Sequence, residues 1–394
     1  MSNIFKVTDL VAKESLRIAH EKLQMIGTVD RQYDEEFRMN GRGSPHGATL
    51  RVKDPNQYTR RTGNAMSVQA QAESDQTITV ATLDGVDMSF TAQELIQSVD
   101  NDGAFDDLSK NYIQPAISGM CSGIESDAIA YWSKLTYQVA GTAGTALTDL
   151  VAVGAARAKL NQQAAPKDGQ RYIQADSVTM GGMVNGLKGL FQDSAQIKEQ
   201  YREGMMGRTA MADWYENDRM WTMQNSADVA GEINNGTLTS GIAALTVDGF
   251  TAAPAAGMVF TVEGIYDVHP ETKAAYAHLK QFVCTAGSTT TNLAFTPALI
   301  FSTTNPRQNC SGTPADGNDI TFVGALSTNY VQSLMYHKSA FQFITAPLPI
   351  LDDAQKCVRV SKDNLSLRCW MASDIRNNEL LMRIDILYGL AALR

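Results

Sequence analysis

The chain has 394 residues, enough for two or three hydrophobic cores at the usual ~100–200 residues per domain. Charged residues make up 19% and apolar residues 44%, so charge is a little below the ~25% common in soluble proteins and leaves neutral surface to cover, for instance against other subunits. The formal net charge of −9 argues against a whole-protein nucleic-acid binder, which would neutralise phosphates with Lys and Arg, although an acidic chain can still border DNA without gripping it. Cys121, Cys284, Cys310, Cys357 and Cys369 are odd in number and none forms a CxxC pair, so free thiols in a reducing cytoplasm are expected. Met1 to Lys6 do not lead into an apolar stretch, and no run reaches the ~18 apolar residues of a membrane span, so neither a secretory signal nor a membrane helix is expected.

The first predicted element is a helix over about 8–27, with Val7, Leu10, Val11, Leu16, Ala19, Leu23 and Ile26 at three-to-four spacing and Thr8 or Asp9 as cap. It has no partner helix nearby in sequence, so its apolar stripe is expected to dock elsewhere, on a neighbouring subunit. A Gly- and Arg-rich stretch from Asn40 follows. Leu50 and Val52 then alternate with Arg51 and Lys53, the period of a half-buried strand. Between residues 38 and 61 the positives are Arg38, Arg42, Arg51, Lys53, Arg60 and Arg61, against the single negative Asp54. A second strand from Gln76 to Leu83 completes a two-stranded arm, marginal alone in water and in need of a neighbour for its edges and neutral face.

Phe105, Leu108, Tyr112, Ala116, Met120, Ile124, Ala128, Tyr131 and Leu135 then mark a long spine helix, with a kink or fresh start at Pro115. A second helix is predicted over about 147–162. An alternating region follows: a strand over Tyr172–Met180, helices over Met183–Gln192 and Ser194–Gly204, and a turn with strand over 208–221. From Glu232 to Leu326 there are ten charged residues in 95, about half the density of the rest. Short strand signals at Met258–Val262, Gln281–Cys284, Leu293–Phe295 and Ile320–Val323, separated by turn residues, predict a small all-β module. Longer strands close the chain at Ala340–Thr345, Leu365–Met371 and Leu380–Tyr388. In the last, Met382, Ile384, Ile386 and Tyr388 share one face, Arg383 and Asp385 the other.

Catalytic signatures are sparse. There is no phosphate loop GxxxxGK[ST], no HExxH and no EF-hand loop. His20, His46, His269, His278 and His337 are scattered without metal-ligand spacing, and solvated or capping roles are expected. Gly119-Met120-Cys121-Ser122-Gly123 resembles a nucleophile elbow, but such a thiol needs a strand-to-helix turn and this one sits within a helical stripe. Three readings stand for the basic arm: an edge charged against aggregation, a contact with an acidic neighbouring subunit, and DNA binding, the last with only Tyr58 as an interleaved aromatic.

Several ordered segments resemble the coat proteins of short-tailed bacteriophages and their relatives. They are Val29 to Phe37, Leu50 to Tyr58, Gly85 to Thr91, Glu94-Leu95, Tyr112 to Ala116, Ile124 to Asp127, Arg208 to Asn217, His337 to Pro349 and Arg383 to Gly389. The resemblance covers most of the chain. It implies an α+β chain of the Hong Kong 97-type phage capsid fold: an N-terminal arm (1–37), an extended β-hairpin loop (38–90), a peripheral domain with a spine helix (91–146), an axial domain (147–231), an inserted β-rich domain (232–327), and axial and returning peripheral strands (328–394). It implies a major capsid protein that assembles with itself into hexamers and pentamers of an icosahedral head, in the virion, put together in the host cytoplasm. Implied partners are a portal protein and a scaffolding or decoration protein, around double-stranded DNA bound without sequence specificity and with no membrane. No catalytic, cofactor-binding or metal residue is implied, and no cofactor. Arg51, Lys53, Arg60 and Arg61 are the expected inter-subunit contacts. The alternatives are the shell of a cellular nanocompartment of the same fold, and a hydrolase using Cys121.

Overall fold

The computed structural model describes residues 11–19, 23–31, 49–66, 68, 75–91, 112–187, 207–226, 230–236, 238–325, 327–350, 356–362 and 365–393. The expectations on 8–10, 38–48, 105–111 and 188–206 lie outside them. The chain divides into two compact units: Met1–Lys53, Asp75–Ala128 and Ser339–Arg394 form unit 1; Asp54–Ser74 and Ile129–Lys338 form unit 2.

Unit 1 is organised by its last strand. β3 (Thr82–Thr91), β17 (Phe341–Ala346), β18 (Lys356–Lys362), β19 (Leu365–Asp374) and β20 (Glu379–Ala392) make a five-stranded antiparallel sheet. β20 pairs with β3 along one edge, and with β19 and then β17 along the other. Met382, Ile384, Ile386 and Tyr388 are buried, as their period-2 spacing requires. The opposite face departs from the alternation, because Asp385 is buried too. It lies across from Arg368, whose Nη2 donates to Asp385 Oδ2 at 2.5 Å, while Arg383 Nε donates to Oδ1 at 2.5 Å. A buried carboxylate persists only when its charge is matched, and a one-residue slip of β19 on β20 would strand it. Gly389 lies where the chain crosses β2 (Asp75–Thr79): a Cβ there would sit 2.3 Å from Thr79 O.

β1 (Thr49–Lys53) and β2 form the two-stranded ribbon in antiparallel register, Leu50 facing Ile78. Its neutral face is not left for a neighbour. Leu50, Ile78 and Val80 pack with Ile344 and Ala391, flanked by Val52, Leu387 and Leu393.

The N-terminal stripe also finds a partner at home. Residues 11–19 form helix α1 and Met25–Thr28 a single turn, α2. Val11, Leu16, Ile18, Ala19, Met25 and Ile26 are all at most 3% exposed, which corrects the expectation that this stripe docks outside the subunit. The spine helix, α3 (Gln114–Leu135), supplies the clasp: buried Glu125 Oε1 accepts from Met25 N at 2.6 Å and Gln24 N at 3.1 Å. Asp30 then adds a parallel bridge to Gln342 of β17. α3 opens through a wider turn at 112–113, with Pro115 in its first turn, where no intrahelical donor is lost. Its buried stripe runs Ile113, Ile117, Met120, Ile124, Ala128 and Trp132. Tyr112 and Tyr131, expected in that stripe, are exposed.

Unit 2 carries α4 (Leu150–Gln162), capped by Asp149 accepting from Val151 N at 3.0 Å, and α5 (Ser177–Leu187). The strand expected over Tyr172–Met180 is shorter: β4 (Arg171–Ala175) ends, Asp176 Oδ2 accepts from Thr179 N, and α5 begins. β5 (Arg208–Thr209), β6 (Ala212–Glu216) and β16 (Leu334–His337) join β4 in one sheet, β4 and β6 running parallel. Val153, Ile173, Met180, Met183 and Trp214 form its core.

The charge-poor region is a barrel. Residues of β7 (Thr222–Gln224) pair with β15 (Asn329–Val331) to form a neck, where Asn225 Nδ2 donates to Val323 O and Ala325 O. Between them lie β8 (Ala230–Ile233), β9 (Ile242–Asp248), β10 (Val259–Val268), β11 (Ala275–Cys284), β12 (Asn292–Leu299), β13 (Cys310–Ser311) and β14 (Asp319–Phe322). The order β11-β12-β9-β8-β14-β10 closes through β10–β11, and β13 adds outside β10. Closure removes the open edges that invite aggregation. Phe260 sits at the centre, its ring centroid 5.6 Å from Phe282, 5.7 Å from Phe295 and 5.6 Å from Phe322.

Candidate assembly surface

The four basic residues expected at a subunit contact fall into two groups. Arg51 and Lys53 project from the outer face of β1, the side set by the inward Leu50 and Val52. Arg51 is 80% exposed on its side chain and pairs with Asp75 at 3.5 Å on the ribbon's rim. Such an exposed pair adds little stability, on the order of 0–1 kcal/mol, and leaves the guanidinium free to exchange partners. Arg60 and Arg61 lie beyond the ribbon in an extended segment without helix or strand. From Pro55 to Met66 every residue but Thr59 is exposed, including Tyr58 and Met66. Arg61 Nη1 donates to Gly63 O at 2.9 Å and Ala65 O at 2.5 Å, folding the segment's tip on itself, with Gly63 at φ +97°. The first pair belongs to unit 1 and the second to unit 2, so the structure does not gather the four into one body.

The remaining described candidates resolve into structural roles, and His20 and His46 lie outside the described residues. Cys121 is buried in α3, without the strand-to-helix turn a nucleophile elbow requires. Burial pushes the thiols of Cys284, Cys310 and Cys369 up to about 12, so they stay protonated at neutral pH. His269 Nδ1 accepts from Glu271 N and Thr272 N and so caps a turn. His278 stacks on Tyr276, 5.2 Å between rings, and approaches Asp267 at 3.5 Å. Among the described residues no cluster of three His, Cys, Asp or Glu side chains could hold a metal ion, and no helix is long and apolar enough to cross a membrane.

The polar centre that sequence reasoning missed lies on the barrel wall. Lys280, 2% exposed, donates to Asp267 Oδ1 at 2.8 Å and lies 5.1 Å from the Tyr137 ring. Gln163 Nε2, at the end of α4, donates to Asp267 Oδ2 at 2.9 Å. Lys159 of α4 donates to Val139 O at 2.6 Å and to Gln281 Oε1. Desolvation is the main cause that lowers the Lys159 ammonium to about 8, with the Asp267 carboxylate opposing it and Lys280 adding to it. These groups tie α4 and the 137–139 stretch to the barrel and offer no reacting geometry. In sequence only the rarity of charge between Glu232 and Leu326 marked Asp267 and Lys280, and a rare charge inside a β module is a candidate for a buried pair.

Residues 221–394, the barrel with its neck and everything after it, match the family model described as P22 coat protein, gene protein 5. Over that stretch the chain resembles the tailed-phage coat proteins. The likeness of fold extends over the remainder as well: the chain is similar to the solved structure titled Mycobacterium phage Che8, with a TM-score of 0.50 at 10% identity, covering 95% of this chain and 88% of that one. It is also similar, at a TM-score of 0.42 and 11% identity over 89% of this chain and 80% of that one, to the asymmetric unit of the mature capsid of bacteriophage PhiM1. A virus-like particle from Pyrococcus furiosus aligns at a TM-score of 0.33 and 9% identity over 73% of this chain and 92% of that one. No curated protein matches in sequence. The mixed α and β architecture is that of the Hong Kong 97-type capsid fold. The family match favours the coat protein over the nanocompartment shell.

Proposed function

We propose that this chain is the major capsid protein of a tailed phage, assembling as hexamers and pentamers into the icosahedral head around the genome. The observation that carries the reading is the coat-protein match over 221–394, which spans the closed barrel and four of the five strands of the sheet built on β20. A subunit of this kind works by surface rather than by chemistry, and the buried, protonated thiols of Cys284, Cys310 and Cys369 and the turn-capping His269 are in keeping with it. Many weak interfaces in a closed shell add to a stable whole without any one being tight. The basic residues Arg51, Lys53, Arg60 and Arg61 contact an acidic surface of a neighbouring copy, because the chain as a whole carries −9 and unlike patches attract. The division proposed for assembly is an N-terminal arm to 37, a hairpin loop to 90, a peripheral domain to 146, and an axial domain interrupted by the insertion at 232–327. A portal protein at one vertex and a scaffolding or decoration protein complete the head in the host cytoplasm, and the enclosed double-stranded DNA is held without sequence readout.

The test is to overexpress the chain and image the lysate by electron microscopy. Closed shells or capsomer rings are expected. A stable monomer under all conditions, with and without a scaffolding partner, refutes the reading. Reversing the charge of Arg51, Lys53, Arg60 and Arg61 should abolish or misdirect assembly, and normal shells from that variant would remove these residues from the interface.

A further inference from the structure

The exposed basic segment has a fixed root. Asp54 is the single acidic residue among the positives of 38–61, and Arg307 is one of only ten charged residues between Glu232 and Leu326. The fold brings these two isolated charges together: Arg307 Nη1 donates to Asp54 Oδ2 at 3.4 Å, with both side chains 25% exposed. Next to them Gln57 lines a cleft of about 230 Å³ with Gln163, Val268, Pro270, Ile300 and Arg307. Segment Asp54–Ser74 accordingly groups with the barrel's unit, although the strands that flank it belong to unit 1.

The platform under this contact is stiff. Asn309 Nδ2 donates to Ala298 O at 2.7 Å, and its Oδ1 accepts from Ile300 N at 3.0 Å. Arg307 N donates to Asn305 Oδ1 at 2.9 Å, and buried Gln308 Nε2 donates to Cys310 O at 3.1 Å. Opposite, Gln163 is held by Asp267, itself locked by Lys280. The backbone that carries Arg307 is fixed in this way, so forming the pair orders only the two side chains. Immediately after Asp54 the chain becomes exposed and, apart from Thr59, stays so to Met66.

We propose that the barrel anchors the basic segment: Arg307 and the adjoining cleft receive Asp54 and Gln57, so that Arg60 and Arg61 leave the subunit from a fixed point. The consequence for assembly rests on the reading of Arg60 and Arg61 as contacts to a neighbouring copy; the anchor itself does not. It assigns the barrel a task besides its own folding, that of aiming a distant part of the chain.

The test is a charge swap read by limited tryptic digestion of the full-length, unassembled protein. Arg307→Glu and Asp54→Arg should each speed cleavage after Arg60 and Arg61 by about threefold or more, and the double variant should return it to within about twofold of the starting rate. Cleavage after buried Lys280 serves as the folding control. Should Arg307→Glu unfold the barrel, Arg307→Gln provides the milder loss of the pair. Unchanged cleavage with an intact barrel overturns the anchor, as does a double variant that stays as loose as the singles. The contact reading is judged separately on Arg60→Glu/Arg61→Glu: normal shells from it sink that reading, while a swap-restored cleavage pattern still supports the anchor.

Discussion

Glu125 offers a graded test of how the N-terminal segment is held. Its Oε1 accepts two backbone N–H groups, 2.6 Å from Met25 and 3.1 Å from Gln24, and the side chain is fully buried. In Glu125→Gln an acceptor oxygen of the same reach remains, and only the charge assistance is lost. Hydrogen bonds to charged groups contribute ~1.5–3 kcal/mol against ~0.5–1.5 for neutral ones, so the change should cost about 1 kcal/mol. In Glu125→Ala the buried Met25 donor and the half-buried Gln24 donor both lose their partner. Each unsatisfied donor costs ~1–3 kcal/mol and the vacated space adds more, giving about 3–5 kcal/mol. The assay is amide exchange over residues 11–30 together with urea unfolding of the unassembled protein. The Ala variant should expose α1 and α2 at denaturant concentrations where the Gln variant and the parent remain protected. Equal losses in the two variants, or a loss under about 1 kcal/mol for Ala, would refute the clasp.

Three further outcomes follow from other contacts. Gly389→Ala places a Cβ 2.3 Å from Thr79 O and 3.0 Å from Val80 Cα, both backbone, so β2 must shift; a loss of about 2–3 kcal/mol is expected in thermal or urea melts. Lys159 titrates at about 8 in the folded chain against an ordinary 10.5, so the unfolded state binds more protons between those values and stability rises with pH across that window. Discounted for partial exposure, the rise is about 1–2 kcal/mol; it should vanish in Lys159→Met, and a variant with the parent's pH dependence would exclude Lys159 as its source. Alkylation at pH 8 should modify half-buried Cys357 well before Cys284, Cys310 and Cys369, whose thiols sit at about 12; mass spectrometry of the labelled protein reads the order, and early loss of the Cys284 thiol would contradict it.

The long periodic elements were legible in the sequence because their signal is local. The 3.6-residue stripe through Ile117, Met120, Ile124 and Ala128 marks α3, and the alternation of Met382, Ile384, Ile386 and Tyr388 marks β20, whatever they pack against. The same locality misled at the margins. Tyr112 and Tyr131 fit the spacing yet point outward, and Asp385 sits on the face that alternation assigns to water. A periodic pattern reports that a face is apolar; it does not report where the boundary of that face falls or which polar group will be matched by a partner 17 residues away.

The barrel shows the division most clearly. Low charge and recurrent turns marked a β module, and strands β10, β11, β12 and β14 all carried short signals. Its closure through β10–β11, and the weakly patterned β8 and β9 that complete the ring, came only with the tertiary structure. The basic arm went the same way. Sequence identified the ribbon, its alternation and its positive charge, but took its neutral face, and that of the N-terminal helix, to be unpartnered. The structure covers both inside unit 1, with Ile344 and Ala391 beneath the ribbon and Glu125 clasping the helix turn, while the segment from Pro55 to Met66 is exposed apart from Thr59. Composition and periodicity thus determine which faces must be buried and which charges are scarce. Which surface buries them, and which scarce charge meets which, depends on contacts between residues hundreds of positions apart, such as Asp54 and Arg307, and no local pattern encodes those.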